Sequence, residues 1–144
     1  MNEREVFLDT SGIIALEHAG DRWHDLALSV RDDLKANKVR LVTTDDVLVE
    51  VSNWFADEPK RGGWHRAVRA VRKILDSRDS GTVILVHVDE DLFTQAWDMM
   101  RRYQDKEWGL TDCGSFVVMG RRGIRKAFAA DHDFEQAGFE RLLR

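Results

Sequence analysis

The sequence contains one cysteine, Cys113, and one proline, Pro59. A single thiol closes no internal disulfide, so stability has to come from a packed core, and the pattern fits a reducing compartment. Long apolar runs are missing too. The longest, such as Val83-Ile84-Leu85-Val86, fall far short of the roughly 18 residues a membrane-spanning helix needs. The opening residues Met1-Asn2-Glu3-Arg4-Glu5 mix charges of both signs and do not make the start of a secretory leader. The expectation is a cytoplasmic protein with no membrane partner. Repeats, low-complexity tracts and linkers rich in proline, glycine or serine are also absent. Pro59 sits in Asp57-Glu58-Pro59-Lys60-Arg61-Gly62-Gly63, which reads as a connection between helices rather than a domain boundary.

At 144 residues the length predicts one domain over 1–144, large enough to bury a core unaided. A composition of 43% hydrophobic and 33% charged residues is ordinary for a globular protein. The net charge of −4 speaks weakly against a nucleic-acid partner, because phosphates call for local cations. Distribution matters more than the sum. Six Lys/Arg residues and no acid lie between Lys60 and Lys73, and Arg121, Arg122, Arg125 and Lys126 form a second basic cluster. Solvated helix faces are the ordinary reading of such runs. As sites for nucleic-acid phosphates, Arg66 and Arg69 on the first cluster and Arg121, Arg122 and Arg125 on the second are the candidates.

Short apolar runs alternate with helical spacing. Val6-Phe7-Leu8, Val39-Arg40-Leu41-Val42, Val83-Ile84-Leu85-Val86 and Ala127-Phe128-Ala129-Ala130 are bounded by polar residues and have strand length. Between them, apolar residues recur on one helical face from Trp23 to Leu34, Val47 to Phe55, Trp64 to Leu75 and Leu92 to Tyr103. A fifth helix opens near Thr111-Asp112 and carries Phe116, Val117 and Met119, and the tail 139–143 offers a last edge strand. Such alternation predicts an α/β fold with a mostly parallel sheet of four to five strands, covered on both faces.

In an open parallel sheet, ligands bind beyond the carboxyl ends of the strands. Asp9 ends the first strand and Asp131 the fourth; Asp112 begins a helix, and Glu50 lies on the helix after the second strand. If the first and fourth strands are neighbours, these four acids can converge from across 122 residues of sequence. Clustered carboxylates raise one another's pKa, so either protons or a cation must neutralise them. An all-oxygen ligand set favours a hard ion, Mg²⁺ or Mn²⁺, suited to an in-line phosphodiester displacement. Glu50 shares a helical face with Val47 and Trp54, which argues for a side chain directed into a site, with a place on its rim as the alternative.

The same residues resemble the motifs of the PIN-domain family, and of its VapC-type toxins in particular. Asp9-Thr10-Ser11-Gly12 is similar to the opening motif. Leu110-Thr111-Asp112-Cys113-Gly114-Ser115-Phe116 is similar to the third acidic motif, and Ala127-Phe128-Ala129-Ala130-Asp131-His132-Asp133-Phe134 with Ala137-Gly138-Phe139 to the closing one. A lone Asp-Thr-Ser-Gly is weak; the ordered set, spread over essentially the whole chain, is specific. The resemblance implies a three-layer α/β/α sandwich and a metal-dependent endoribonuclease. In that scheme Asp9, Glu50, Asp112 and Asp131 are catalytic. Asp9, Asp112 and Asp131 hold the Mg²⁺ or Mn²⁺, Glu50 orients a water, and the hydroxyls of Thr10, Ser11 and Ser115 support the cluster. Where the closing motif usually carries a histidine, this sequence has Asp133, so Asp131 and Asp133 both stand as the fourth acid, with Asp131 favoured by its register with Phe134 and Gly138.

Taken singly, Asp9 and Asp112 suit helix starts equally well. Cys113 reads as a small buried residue, and the five histidines show no zinc spacing. The resemblance also implies an RNA substrate, a cognate antitoxin and a family in which homodimers occur. The alternative is a degenerate PIN domain that binds RNA or protein without cutting. A metal-dependent phosphatase of another α/β type fits poorly, since Asp9-Thr10-Ser11 stands where an Asp-x-Asp nucleophile would be needed.

Overall fold

The computed structural model describes residues 2–57 and 63–144. Most of the proline-bearing loop, with Lys60 and Arg61, lies outside the described residues. In chain order the elements are β1 (Glu5–Leu8), α1 (Thr10–Glu17), α2 (His24–Ala36), β2 (Arg40–Thr44), α3 (Asp45–Ala56), α4 (Gly63–Asp79) and β3 (Val83–Val86). These are followed by α5 (Glu90–Arg102), α6 (Leu110–Arg122), β4 (Lys126–Phe128), α7 (Asp133–Gln136) and β5 (Glu140–Arg141). The strands form one sheet in the order β3-β2-β1-β4-β5, every pair parallel.

The order follows from burial. All four residues of β1 are buried, as a central strand covered on both faces requires. Its one charged member, Glu5, is satisfied by Arg122 Nε and Nη2 at 3.0 and 2.9 Å and by Asn2 at 2.7 Å. From β1 the chain steps outward through β2 to β3, then returns across the sheet to β4. Right-handed crossovers therefore place α1–α4 on one face and α5 and α6 on the other, giving the three-layer α/β/α sandwich expected. Phe7, Leu8, Val42, Phe55, Met119, Phe128 and Phe134 are fully buried in the core.

The direction of winding reverses between β1 and β4, so a crevice opens at the carboxyl ends of these two strands. Gly12 sets how close α1 comes to that edge. A Cβ at this position would sit 2.1 Å from the Phe128 carbonyl oxygen, so only glycine lets the helix lie against β4.

Strand boundaries differ from the sequence pattern: β2 runs on through Thr44, and β5 is confined to Glu140–Arg141. The fourth strand stops at Phe128 rather than Ala130: the Asp9 amide takes the Phe128 carbonyl, and the Ala130 amide turns to the Ser11 hydroxyl. The ladder ends because the Ser11 side chain has claimed the Ala130 amide. The helices α1 and α7 are shorter than the window over which a 3.6-residue period can be read.

Candidate active site

Asp9 leaves β1 as the N-cap of α1. Its Oδ2 accepts from the Ser11 amide at 3.2 Å and from the Ser11 hydroxyl at 2.7 Å. The Ser11 oxygen in turn accepts the Ala130 amide at 2.9 Å. One hydroxyl thus couples the acid after β1 to the segment after β4. Beneath it, the Thr43 hydroxyl of β2 donates to the Leu8 carbonyl at 2.7 Å and fixes the end of β1 from the other side. Asp9 is almost wholly buried. Burial pushes its carboxyl up to about 6, the Ser11 and Thr10 hydrogen bonds opposing the rise and the charge of Asp131 adding to it.

Asp112 stands in the first turn of α6, where the helix dipole favours an anion. Desolvation nevertheless raises its pKa to about 7, followed in order by the charges of Asp9, Asp131, Glu50 and Asp133. All four other acids therefore bear on this one carboxylate. Oxygens of Asp112, Asp131 and Asp133 lie within 4.8 Å of one another. Asp131 also accepts the Asp133 amide at 2.9 Å, which folds the β4–α7 turn so that both carboxylates stand on the same side. Asp133 is raised by burial and then by Asp131, with His132 opposing. Glu50, exposed on α3, is oriented by the Thr10 hydroxyl at 2.6 Å.

The structure brings together Asp9, Glu50, Asp112, Asp131 and Asp133, with Thr10 and Ser11 as donors beside them. Ser115 is different: it is buried and spends its proton on the Thr111 carbonyl of its own helix at 3.0 Å. The basic candidates are also set apart. Arg122 lies ten residues beyond Asp112 on α6, about 15 Å along the axis at 1.5 Å per residue, and holds Glu5 at the amino end of the sheet. Arg121 and Arg125 flank it there. Arg66 donates to the Glu17 carbonyl at 2.7 Å, and Arg69 is exposed on α4. Thr43 and Arg141, which donates to the Ala130 carbonyl at 2.7 Å, were not read from the sequence. A threonine at a strand end is a faint signal, and nothing in the pattern marks the arginine.

The donor set fits a divalent cation. Carboxylate oxygens from separate elements converge within the span of one coordination sphere, their repulsion is only partly relieved by protons, and hard oxygen ligands suit a hard ion. Such a site can bind a metal and bring it against an anionic ester.

Residues 6–140 match the family model described as PIN domain. Over 135 residues the chain is 39% identical to the 23S rRNA-specific endonuclease VapC20 from two strains of Mycobacterium tuberculosis, spanning 93% of this chain and 95% of that protein. The crystal structure of Mycobacterium tuberculosis VapC20, described as a sarcin–ricin loop cleaving toxin, superposes with a TM-score of 0.78 at 36% identity. It covers 93% of this chain and 95% of that one.

Proposed function

This chain belongs to the PIN-domain family, and on that premise we propose that it is an endoribonuclease toxin that depends on Mg²⁺ or Mn²⁺ and is held in check by a cognate antitoxin. The observation that carries the reading is the approach of Asp112, Asp131 and Asp133 oxygens to within 4.8 Å at the β1–β4 crevice, with buried Asp9 behind them. Asp9, Asp112 and Asp131 hold the ion, and Asp133 supports Asp131 or shares its role. When bound, the ion neutralises the cluster and stabilises the oxygens of an in-line displacement at phosphorus.

The chain's own residues do the rest. Glu50, aimed by Thr10, orients the attacking water and accepts its proton, while the P–O bond to the leaving sugar oxygen breaks and that oxygen takes up a proton from solvent. Ser11 keeps the Asp9 oxygen in place through both of its hydrogen bonds. The carboxylates supply no counter-charge to the RNA, so surface cations such as the exposed Arg69 have to add to the affinity that the bound ion supplies.

The named relative acts on 23S rRNA, and a structured ribosomal RNA loop of that class is the substrate we assign here. The compartment follows from the substrate: the cytoplasm, where a lone buried thiol such as Cys113 stays reduced.

The test is cleavage of ribosomes and of isolated 23S rRNA with Mg²⁺, Mn²⁺ or EDTA, alongside Asp9→Asn and Asp112→Asn. Fragments that need a divalent ion and vanish in both variants are expected. Intact RNA together with no measurable divalent binding would move the assignment to a non-catalytic binding module.

A further inference from the structure

The β4–α7 turn carries two of the clustered carboxylates, Asp131 and Asp133, on a stretch that is not part of any strand. Like charges this close push the turn open, so something has to hold it. Part of the answer is local. The Asp133 amide binds Asp131 Oδ1, and Phe134 is fully buried just beyond.

The rest comes from Arg141. Its Nη1 donates to the Ala130 carbonyl at 2.7 Å, immediately before Asp131, and its Nε donates to Glu135 Oε1 at 2.8 Å, two residues after Asp133. One guanidinium therefore grips the turn on both sides of the two acids. Ala130 is held at its other backbone group as well, by the bond from its amide to the Ser11 hydroxyl.

The arginine itself is firmly based. Arg141 pairs with Ala127 in the β4–β5 ladder, the Leu142 and Leu143 amides bind the Ala127 and Ala129 carbonyls, and Leu143 is fully buried. Its side chain is only 18% exposed while Glu135 is 44% exposed, so water competes little at the Ala130 carbonyl and more at the Glu135 end. The residue lies just past the stretch 6–140 that matches the family.

We propose that Arg141 is a positioning residue for the metal-binding carboxylates, clamping the β4–α7 turn so that Asp131 and Asp133 face Asp112 before any ion arrives. This rests on the metal-site reading given above. The guanidinium touches neither substrate nor ion in this scheme. It acts through the Ala130 carbonyl and Glu135, two nitrogens of one rigid plane making the two bonds, whereas a lysine offers its donors from a single freely rotating nitrogen and fixes the turn less well.

The experiment is Mn²⁺ binding to the purified protein, read by the electron paramagnetic resonance of free Mn²⁺. It compares the wild type with Arg141→Met, Arg141→Lys, Glu135→Gln and Asp112→Asn, each checked for folding by thermal melts in EDTA. Well below the melting temperature, Arg141→Met is expected to raise the Mn²⁺ dissociation constant on the order of 10-fold, the usual effect of losing a group that orients a metal ligand. Arg141→Lys should fall between it and wild type, and RNA cleavage should lose kcat with KM unchanged.

A folded Arg141→Met protein that binds Mn²⁺ like wild type overturns the proposal. If that variant does not fold, unchanged affinity in both Arg141→Lys and Glu135→Gln overturns it instead. A wild type that binds no Mn²⁺, or an Asp112→Asn protein that binds as tightly as wild type, sinks the metal-site reading itself and this proposal with it.

Discussion

Thr10 and Glu50 stand 40 residues apart in the sequence and meet in a 2.6 Å hydrogen bond. The bond joins the first turn of α1 to the middle of α3 and fixes one oxygen of an otherwise exposed carboxylate. An exposed glutamate normally samples many rotamers, and ordering it costs side-chain entropy. Here the cost is met before substrate arrives.

Thr10→Val removes the donor and keeps the shape. We expect kcat to fall about tenfold, equivalent to about 1.4 kcal/mol, with KM and melting temperature little changed. Single-turnover cleavage at saturating enzyme checks this. An unchanged rate would mean that Glu50 needs no orientation from Thr10.

Asp9→Asn is expected to abolish cleavage and to leave metal-free stability unchanged or raised. The amide oxygen can still accept from Ser11, while the repulsion from Asp131 disappears. Thermal melts in EDTA decide the matter: a variant that unfolds where wild type does not would make Asp9 a structural residue.

The acid cluster also sets a pH dependence. The carboxyls of Asp9 and Asp112 titrate near 6 and 7 in the fold against 3.8 ordinarily, so both bind protons more tightly folded than unfolded. Their contribution to stability is fully present below about 3.8 and is lost as pH rises through 6 and then 7. The metal-free protein should therefore be more stable at pH 5 than at pH 8, by on the order of 3 kcal/mol from these two groups, and saturating Mg²⁺ should flatten the difference. Denaturant melts in EDTA at the two pH values test the sign. Equal stability, or greater stability at pH 8, contradicts the cluster.

Gly12→Ala tests how α1 is seated. A methyl group 2.1 Å from the Phe128 oxygen cannot be accommodated without moving α1 or β4. The expected loss is about 1–3 kcal/mol or more, accompanied by lower activity because Asp9 and Ser11 move with the helix. A melting temperature equal to wild type would show that the helix shifts freely.

Arg122→Ala should separate fold from RNA contact. It strips Glu5, only 6% exposed, of its two closest cationic bonds and should cost on the order of 2 kcal/mol. The salt dependence of RNA binding should stay as in wild type. A reduced salt slope would instead place Arg122 against phosphate.

The elements of this protein are written locally. The apolar run Val6-Phe7-Leu8, the helical spacing of Val47, Val51 and Phe55 and the position of Asp112 at a helix start each depend on neighbours a few residues away, and for that reason a linear reading finds them. The acids Asp9, Asp112 and Asp131 were legible as candidates because acids that follow strands or open helices in an α/β pattern have few places to point, and Glu50 because it shares a helical face with the apolar Val47 and Trp54.

Their convergence was conditional in the sequence, since it required β1 and β4 to be neighbours. Long-range pairing and the sense of the crossovers settle that, not any local preference. The same holds for the bonds that aim the acids: Thr43 on Leu8, Ser11 between Asp9 and Ala130, and Arg141 on the Ala130 carbonyl. It holds too for the basic residues, where Arg122 reads as a phosphate contact in a string of cations but is claimed by Glu5 at the far end of the sheet. Composition and periodicity determined which segments fold and which residue types could act. Only the tertiary structure decided which of them meet, because hydrogen bonds and charge interactions depend on distances of a few ångströms that sequence separation does not encode.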